Sequence, residues 1–399
     1  PPPPPPPPRF FFQASAGIRD RSTSRGLGDV YKRQGVDALQ VLPITSADQT
    51  ISFLPLSHGF ERTAGLYTIL AAGACIAYGG GTVTLTKDLA DIRPTLFCCV
   101  PRVLELVYRR VLTEKENSTG PKKFLLGRVI STAKTVGQTL TSNPTGTGTV
   151  RFPLNLLHLA LDKLVFRKLR DILGGRTRFL ISGGAPLNSD ICYFFFGAGM
   201  TVYQGYGLTE AGPVVSCNIP DQSRVGTVGP ALPQVTVRTD TDGEICVRGP
   251  NVMRGYFNKP EETAQVLDAD GWLHTGDLGY LDEDGILYFV DRKKDMIKRS
   301  GENIASAEVE RVLNTHPLIA ESAAVGVPDP IRQEEIKACI VLIPGTSRQM
   351  FPPEDVWAFC MEYLAPFKVP RYLDIRAGLP KTGSSKIQKN LLREEGLGE

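Results

Sequence analysis

The sequence predicts an α/β protein. A large domain is built on a mostly parallel sheet with helices on both faces, a β-rich segment follows, and a small α+β domain comes after it. Three observations carry this prediction. Between Gly35 and about Ser216, short apolar runs alternate with helical patterns, as in a parallel sheet covered on both sides. From 217 to 291 the texture changes to strand pairs separated by Asp-Gly turns. Beyond Arg292, one helical pattern precedes two long apolar strands.

The elements follow in chain order. Residues 1–8 are all proline, an exposed polyproline helix with nothing to bury. Residues 19–34 have neither helical nor strand periodicity and look like foreign sequence joined to an open reading frame, so 1–34 is expected to be a disordered, non-native tail. A basic, serine-rich targeting peptide is the other reading; Asp20, Asp29 and the lack of an amphipathic face weigh against it. Residues 63–86 carry no charge, yet Gly65, Gly73 and Gly79-Gly80-Gly81 interrupt them, which predicts a buried helix over 66–72 and a strand over 74–78, not a membrane span. Residues 96–100, 178–181 and 200–204 read as buried strands, and 103–111 and 156–173 as helices. Residues 235–238 and 244–247 flank Asp242-Gly243 as a hairpin, and Asp284-Gly285 before 286–290 marks another. In the last part, a helix around Val309, Val312 and Leu313 precedes strands over 323–327 and 336–343. The expected units are therefore 1–34, 35–291 (α/β over 35–216, β-rich over 217–291) and 292–399.

Bulk properties narrow the partners. Lys plus Arg number 45 against 42 Asp plus Glu, with no basic stripe, which argues against nucleic acid. The eight cysteines mostly sit in apolar runs without metal-type pairing, which reads as buried thiols in a reducing compartment. Four scattered histidines make a structural zinc site unexpected.

Four motifs occur in a fixed order: Tyr206-Gly207-Leu208-Thr209-Glu210, Thr275-Gly276-Asp277, the charged run from Asp291 through Lys298, and Pro380-Lys381-Thr382-Gly383-Ser384-Ser385-Lys386. Each is short, and the order makes the set specific. Together they resemble the adenylate-forming superfamily of acyl-CoA synthetases, luciferases and peptide-synthetase adenylation domains. The resemblance implies the adenylate-forming fold, with a C-terminal lid domain, and ATP-dependent activation of a carboxylate. The substrate supplies the nucleophile, so the protein must supply positioning and positive charge around the phosphates.

Residue roles follow from that likeness. Glu210 offers a hard oxygen to Mg²⁺, with the Thr209 hydroxyl beside it. Tyr206, beside Gly207, offers a flat face for adenine, and Gly183, Gly184, Ala185 and Pro186 let adenine approach the backbone. Asp277 accepts from both ribose hydroxyls, and Arg292 reaches ribose or phosphate. Lys294 is the hinge pivot, Lys298 with the 298–304 loop serves thioester formation, and Lys386 meets the charge developing during adenylation. The family usually has glycine before that lysine, where this chain has Ser385. His58, in Leu54-Pro55-Leu56-Ser57-His58, matches a position near the substrate carboxylate.

Members also carry a Gly/Ser/Thr-rich phosphate loop ahead of the His58 motif, and nothing like it lies between Gly35 and Phe53. Ser118-Thr119-Gly120-Pro121-Lys122-Lys123 is read as a lookalike in an exposed insertion. The chain is thus expected to be a fragment lacking that loop and without turnover alone. The 54–62 pattern and the long 102–178 insertion look like bacterial-type long-chain fatty acyl-CoA synthetases. The implied partners are a fatty acid, ATP with Mg²⁺, and CoA. The expected location is cytoplasmic, with peripheral membrane contact left open. An aryl or other acyl-CoA ligase, or a non-catalytic nucleotide- or CoA-binding remnant, are the alternatives.

Overall fold

The structure is a computed structural model and describes residues 27–142, 154–346, 351–381 and 387–397. β1 (Gln49–Ser52), β2 (Cys75–Tyr78), β3 (Leu96–Cys99), β4 (Phe179–Ser182) and β5 (Thr201–Tyr206) run parallel in the order β2-β1-β3-β4-β5. β6 (Ser216–Cys217) pairs antiparallel with the end of β5. The strands are apolar on both faces for a reason visible in the packing. Phe97, Cys99, Leu180 and Val202 point into one core cluster, while Leu96, Cys98, Phe179, Ile181 and Tyr203 point into another. A period of two with both faces covered turns alternation into a continuous apolar run.

The 118–123 stretch is exposed as expected, apart from Ser118, while the helices around it bury their inner faces. Helices Pro101–Glu116 and Gly120–Thr141 pack over the sheet, with Val129, Ala133 and Val136 fully buried. Helix Gly120–Thr141 meets helix Ser189–Gly197 at two reciprocal glycines. A Cβ on Gly137 would lie 1.9 Å from the Tyr193 carbonyl oxygen, and one on Gly197 would lie 1.9 Å from that of Ala133. Backbones this close leave no room for a side chain. The 118–123 lookalike only starts this helix: Lys122 is paired with Glu114, and Lys123 with Glu116 at 3.0 Å.

The expected break at residue 34 is corrected by the structure. One helix, Leu27–Leu39, runs through it. Tyr31, Gln34 and Ala38 are buried on its inner face. The Gln34 amide donates to the Val214 carbonyl at 2.6 Å, and its Oε1 accepts from the Val214 N–H at 3.1 Å. A buried glutamine is invisible to a search for apolar periodicity, which is why 27–34 reads as unstructured. Residues 1–26 lie outside the described residues.

The uncharged 63–86 span forms a π-helix (Glu61–Tyr67), a short α-helix (Thr68–Ala71) and β2. Among the described residues no helix is long and apolar enough to cross a membrane.

The β-rich segment is the antiparallel sheet β10-β9-β8-β7, made of β7 (Thr236–Thr239), β8 (Glu244–Arg248), β9 (Leu273–Leu281) and β10 (Leu287–Arg292). A 3₁₀ turn, Lys293–Asp295, then leads into the small domain. That domain comprises β11 (Ile297–Arg299), β12 (Glu302–Ile304), β13 (Ile319–Asp329), β14 (Gln333–Leu342) and β15 (Tyr372–Arg376), with helices Ser306–Leu313 and Pro353–Tyr363 packed on its core. Asp291 ties the two parts: its buried carboxylate accepts from Ser306 Oγ at 2.7 Å and from the Ala307 N–H at 3.1 Å, at the start of helix Ser306–Leu313. Arg102 donates to the Ala320 carbonyl at 2.6 Å across the same junction.

Candidate functional site

The site is built at the carboxyl ends of the parallel strands, where open α/β sheets place ligands. β5 ends at Tyr206. The chain then turns so tightly that a Cβ on Gly207 would sit 1.8 Å from the Pro213 carbonyl oxygen. The turn presents Glu210 on a single 3₁₀ turn, Thr209–Ala211. Two bonds fix Glu210: its backbone carbonyl accepts from the Met253 N–H at 2.7 Å, and its Oε1 accepts from the Tyr256 hydroxyl at 3.1 Å. Burial, and then the Glu210 charge, push the Tyr256 phenol up to about 12, so it stays a donor.

The second half comes from β9 and β10. In their register Asp277 stands directly opposite Arg292, with Arg292 Nε 4.0 Å from Asp277 Oδ1. Asp277 Oδ2 accepts from the Tyr206 hydroxyl at 2.8 Å. Burial first, and then the Asp277 carboxylate, hold the Tyr206 phenol well above its ordinary value. Gly276 takes φ +71° to turn the strand, and its N–H donates to Glu244 Oε1 at 2.8 Å. Thr275 Oγ1 donates to the Ile245 carbonyl at 2.7 Å and accepts from the Asp277 N–H at 3.1 Å. Two motifs about 70 residues apart thus meet in one hydrogen bond, Tyr206 to Asp277.

The structure changes the emphasis on Tyr206. Only 8% of it is exposed, and its ring lies 5.7 Å from that of Phe289, so its open contribution is the hydroxyl that orients Asp277 and not a broad free face. His58 sits in the loop after β1, with its Nδ1 accepting from the Phe60 N–H at 3.3 Å. Gly183, Gly184, Ala185 and Pro186 follow β4, where Gly184 needs φ +86° and a Cβ on Gly183 would come 3.1 Å from the Phe60 ring. These loops share the strand-end rim with Tyr206.

At the entry to the small domain, Lys294 is exposed within the 3₁₀ turn Lys293–Asp295. Its neighbour Lys293 is anchored back on the β-rich sheet, 2.6 Å from Asp242 and 3.1 Å from Glu244. Lys298 is exposed on β11, and its backbone N–H donates to Glu334 at 2.6 Å. The expected 298–304 loop is instead a hairpin. Ser300 (φ +53°) and Gly301 (φ +85°) make a two-residue turn between β11 and β12, with Lys298 opposite Asn303. Among the described residues, the contacts of Lys298 are with Glu334 and Asn303 of the small domain. Lys386 lies outside the described residues, but its flanks are closed by the Lys381–Ile387 bridge and by Lys381 paired with Glu321 at 2.8 Å.

Sequence reading missed Tyr256 and Gln34, which brace Glu210 and the 211–214 turn. The sequence offers only the glycine just before Tyr256, Gly255, which takes φ +144° in the structure. A half-buried carboxylate steered by a phenol is a hard oxygen donor of the kind Mg²⁺ prefers.

Among curated proteins, the chain is similar to a long-chain-fatty-acid–CoA ligase of Mycobacterium bovis. It is 36% identical over 304 residues, 75% of this chain and 49% of the relative. A Bacillus subtilis long-chain-fatty-acid–CoA ligase is 42% identical over 228 residues, 54% of this chain and 40% of the relative. The chain therefore spans about half the length of the curated relatives it matches. Among solved structures it resembles ATP-bound MatB from Rhodopseudomonas palustris, with TM-score 0.68 and 26% identity, covering 92% of this chain and 63% of that one. It also resembles o-succinylbenzoate CoA synthetase of Bacillus subtilis in complex with its acyl-adenylate intermediate, with TM-score 0.68 and 26% identity, covering 93% and 66%. The AMP-binding enzyme description matches residues 27–257 and the AMP-binding enzyme C-terminal domain description matches 308–386; the chain belongs to the AMP-binding enzyme family.

Proposed function

We propose that this chain carries the adenylate-holding and thioester-forming parts of an ATP-dependent acyl-CoA ligase acting on long-chain fatty acids. In the first half-reaction a carboxylate oxygen bonds to the α-phosphorus of ATP, and the bond to the β-phosphate oxygen breaks to release pyrophosphate. In the second, the CoA sulfur bonds to the acyl carbon and AMP leaves. The observation that carries the reading is the hydrogen-bonded junction of the two motifs, Tyr206 with Asp277, flanked by Arg292 and the braced Glu210.

In this reading Asp277 accepts from the ribose hydroxyls, with its carboxylate aimed by Tyr206, and Arg292 sits beside it for ribose or phosphate. The 183–186 loop lies against adenine. Glu210, with Thr209 beside it, would hold Mg²⁺, which when bound neutralises phosphate charge. His58 lies toward the substrate carboxylate. Lys386 supplies positive charge during adenylation, and Lys294 is the pivot that exchanges it for the Lys298 hairpin. The long-chain assignment rests on the 54–62 pattern and on what the matched ligases are named for.

The second half-reaction can be tested on this chain alone, starting from synthetic acyl-adenylate, which needs no β- or γ-phosphate site. With CoA added, the chain is expected to release acyl-CoA, fastest with long acyl groups. Lys298→Ala is expected to slow that release about 10²-fold, the size of losing one transition-state donor, while adenylate affinity stays within about twofold. Equal rates for the two proteins would remove Lys298 from the mechanism. A preference for aryl adenylates would remove the long-chain assignment.

A further inference from the structure

Three strands of the β-rich sheet bring together side chains that no motif connects. Asp240 follows β7, Cys246 lies on β8 and His274 on β9, with Cys246 and His274 directly paired across the strands. One carboxylate oxygen, the sulfur and one ring nitrogen all lie within 4.8 Å of one another. We propose that Asp240, Cys246 and His274 form a binding site for a borderline-soft divalent metal ion of the zinc type.

The geometry favours such an ion over an ordinary polar cluster in two ways. Cys246 Sγ and His274 Nδ1 are 3.5 Å apart. A tetrahedral ion with a metal–sulfur bond of about 2.3 Å and a metal–nitrogen bond of about 2.0–2.1 Å separates its ligand atoms by about 3.6 Å, so the pair needs almost no movement. The second point is the outer ring nitrogen. His274 Nε2 lies 3.8 Å from Asp268 Oδ2, longer than a hydrogen bond, which places a carboxylate on the side of the imidazole away from the sulfur, where metal-ligating histidines carry their supporting acceptor.

The charges around the site are consistent with a cation. Glu244 Oε2 lies 3.8 Å from His274 Nδ1 and adds a second carboxylate. Arg238 stands opposite Cys246 in register, with its guanidinium stacked 4.3 Å from the Trp272 ring. Thiolate with imidazole selects zinc or cobalt and disfavours Mg²⁺ and Ca²⁺. Binding is a simple exchange: the Cys246 thiol releases its proton, and the sulfur and nitrogen lone pairs bond to the ion, with no change of oxidation state. The site adjoins working parts, since His274 directly precedes Thr275-Gly276-Asp277 and Glu244 holds both Gly276 and the hinge residue Lys293.

The test is titration of chelator-treated, reduced protein with Co²⁺. One equivalent is expected to give a near-ultraviolet thiolate-to-cobalt band and visible tetrahedral bands that Zn²⁺ then removes. Cys246→Ser and His274→Gln are expected to abolish the bands, whereas Cys75→Ser, at the exposed thiol, leaves them intact. Asp268→Asn keeps all three ligands and is expected to weaken binding about 10- to 100-fold, which decides the matter where a ligand variant fails to fold. Absence of the thiolate band, its survival in Cys246→Ser, or unchanged affinity in Asp268→Asn would each overturn the proposal.

Discussion

Gly207→Ala is expected to cost about 3 kcal/mol of stability and to abolish measurable adenylate binding. The reason is steric and local. A Cβ at 207 would lie 1.8 Å from the Pro213 carbonyl oxygen and 2.8 Å from its carbon, both backbone atoms that no rotamer change can move aside. The added methyl must push the 213–214 segment away from the end of β5. That segment is pinned on both sides: the Val215 N–H donates to the Tyr206 carbonyl at 2.9 Å, and Val214 exchanges two hydrogen bonds with Gln34. Overpacking against a fixed backbone typically costs about 1–3 kcal/mol, and here the upper end applies because two anchored segments must move. The same displacement carries Tyr206 and Glu210 out of position, so binding falls further than stability alone would predict. Gly378→Ala is the matched control, since its Cβ would meet nothing within 4 Å. Denaturant midpoints and adenylate titrations on the three proteins check this. Wild-type behaviour in Gly207→Ala would mean that the turn is looser than the described backbone.

Stability is also expected to fall by about 3 kcal/mol as pH rises from about 4.5 to about 7, with one carboxyl responsible. Glu61 is 1% exposed at the start of its π-helix, beneath β1. Ser52 Oγ donates to its Oε1 at 2.5 Å, and among the described residues Oε2 has no hydrogen-bond partner. Burial pushes this carboxyl from 4.5 up to about 7, and the Ser52 hydrogen bond only partly opposes it. The native state therefore keeps a proton that the unfolded chain loses above about 4.5. Between the two values the native state binds more protons, so stability declines with rising pH, and above about 7 the full penalty applies. At about 1.4 kcal/mol per tenfold, the interval from 4.5 to about 7 gives about 3 kcal/mol. Glu61→Gln keeps the shape without the charge. It is expected to match the wild type near pH 5 and to exceed it by about 2–3 kcal/mol at pH 8. Urea midpoints at the two pH values measure this, and parallel pH slopes in the two proteins would rule out a buried neutral Glu61.

The parallel sheet was legible because β3 and β4 are buried on both faces, and such strands read as unbroken apolar runs in any context. The hairpins were legible from Asp242-Gly243 and Asp284-Gly285, where the turn itself demands residues that accept positive φ. The start of the large domain was not, because the helix through residue 34 buries Gln34, whose amide bonds to a backbone 180 positions away. Within 102–178 the helices over 103–111 and 156–173 were legible from their apolar spacing, whereas helix Gly120–Thr141 and its packing on helix Ser189–Gly197 were not. Their tightest contact is made by Gly137 and Gly197, which carry no hydrophobic signal at all. At the site, the motifs marked Tyr206, Glu210, Asp277 and Arg292, but not that the first is buried with its ring beside Phe289 or that Tyr256 holds the second. Cross-strand register, which sets Arg292 opposite Asp277 and Cys246 opposite His274, appears only once the sheet is assembled.

The central claim is that Asp277, aimed by Tyr206 and flanked by Arg292, clasps the ribose of an adenylate. Calorimetric titration with a non-hydrolysable long-chain acyl-sulfamoyl-adenosine tests it most directly, run beside the analogue lacking both ribose hydroxyls. Hydrogen bonds to a charged acceptor contribute about 1.5–3 kcal/mol each, so Asp277→Asn is expected to weaken binding of the intact analogue about 10- to 100-fold. The dideoxy analogue is expected to bind the wild type and Asp277→Asn about equally, since the variant removes only what those hydroxyls engage. Equal affinity of a folded Asp277→Asn for the intact analogue, or an equal loss for both analogues, would contradict the account.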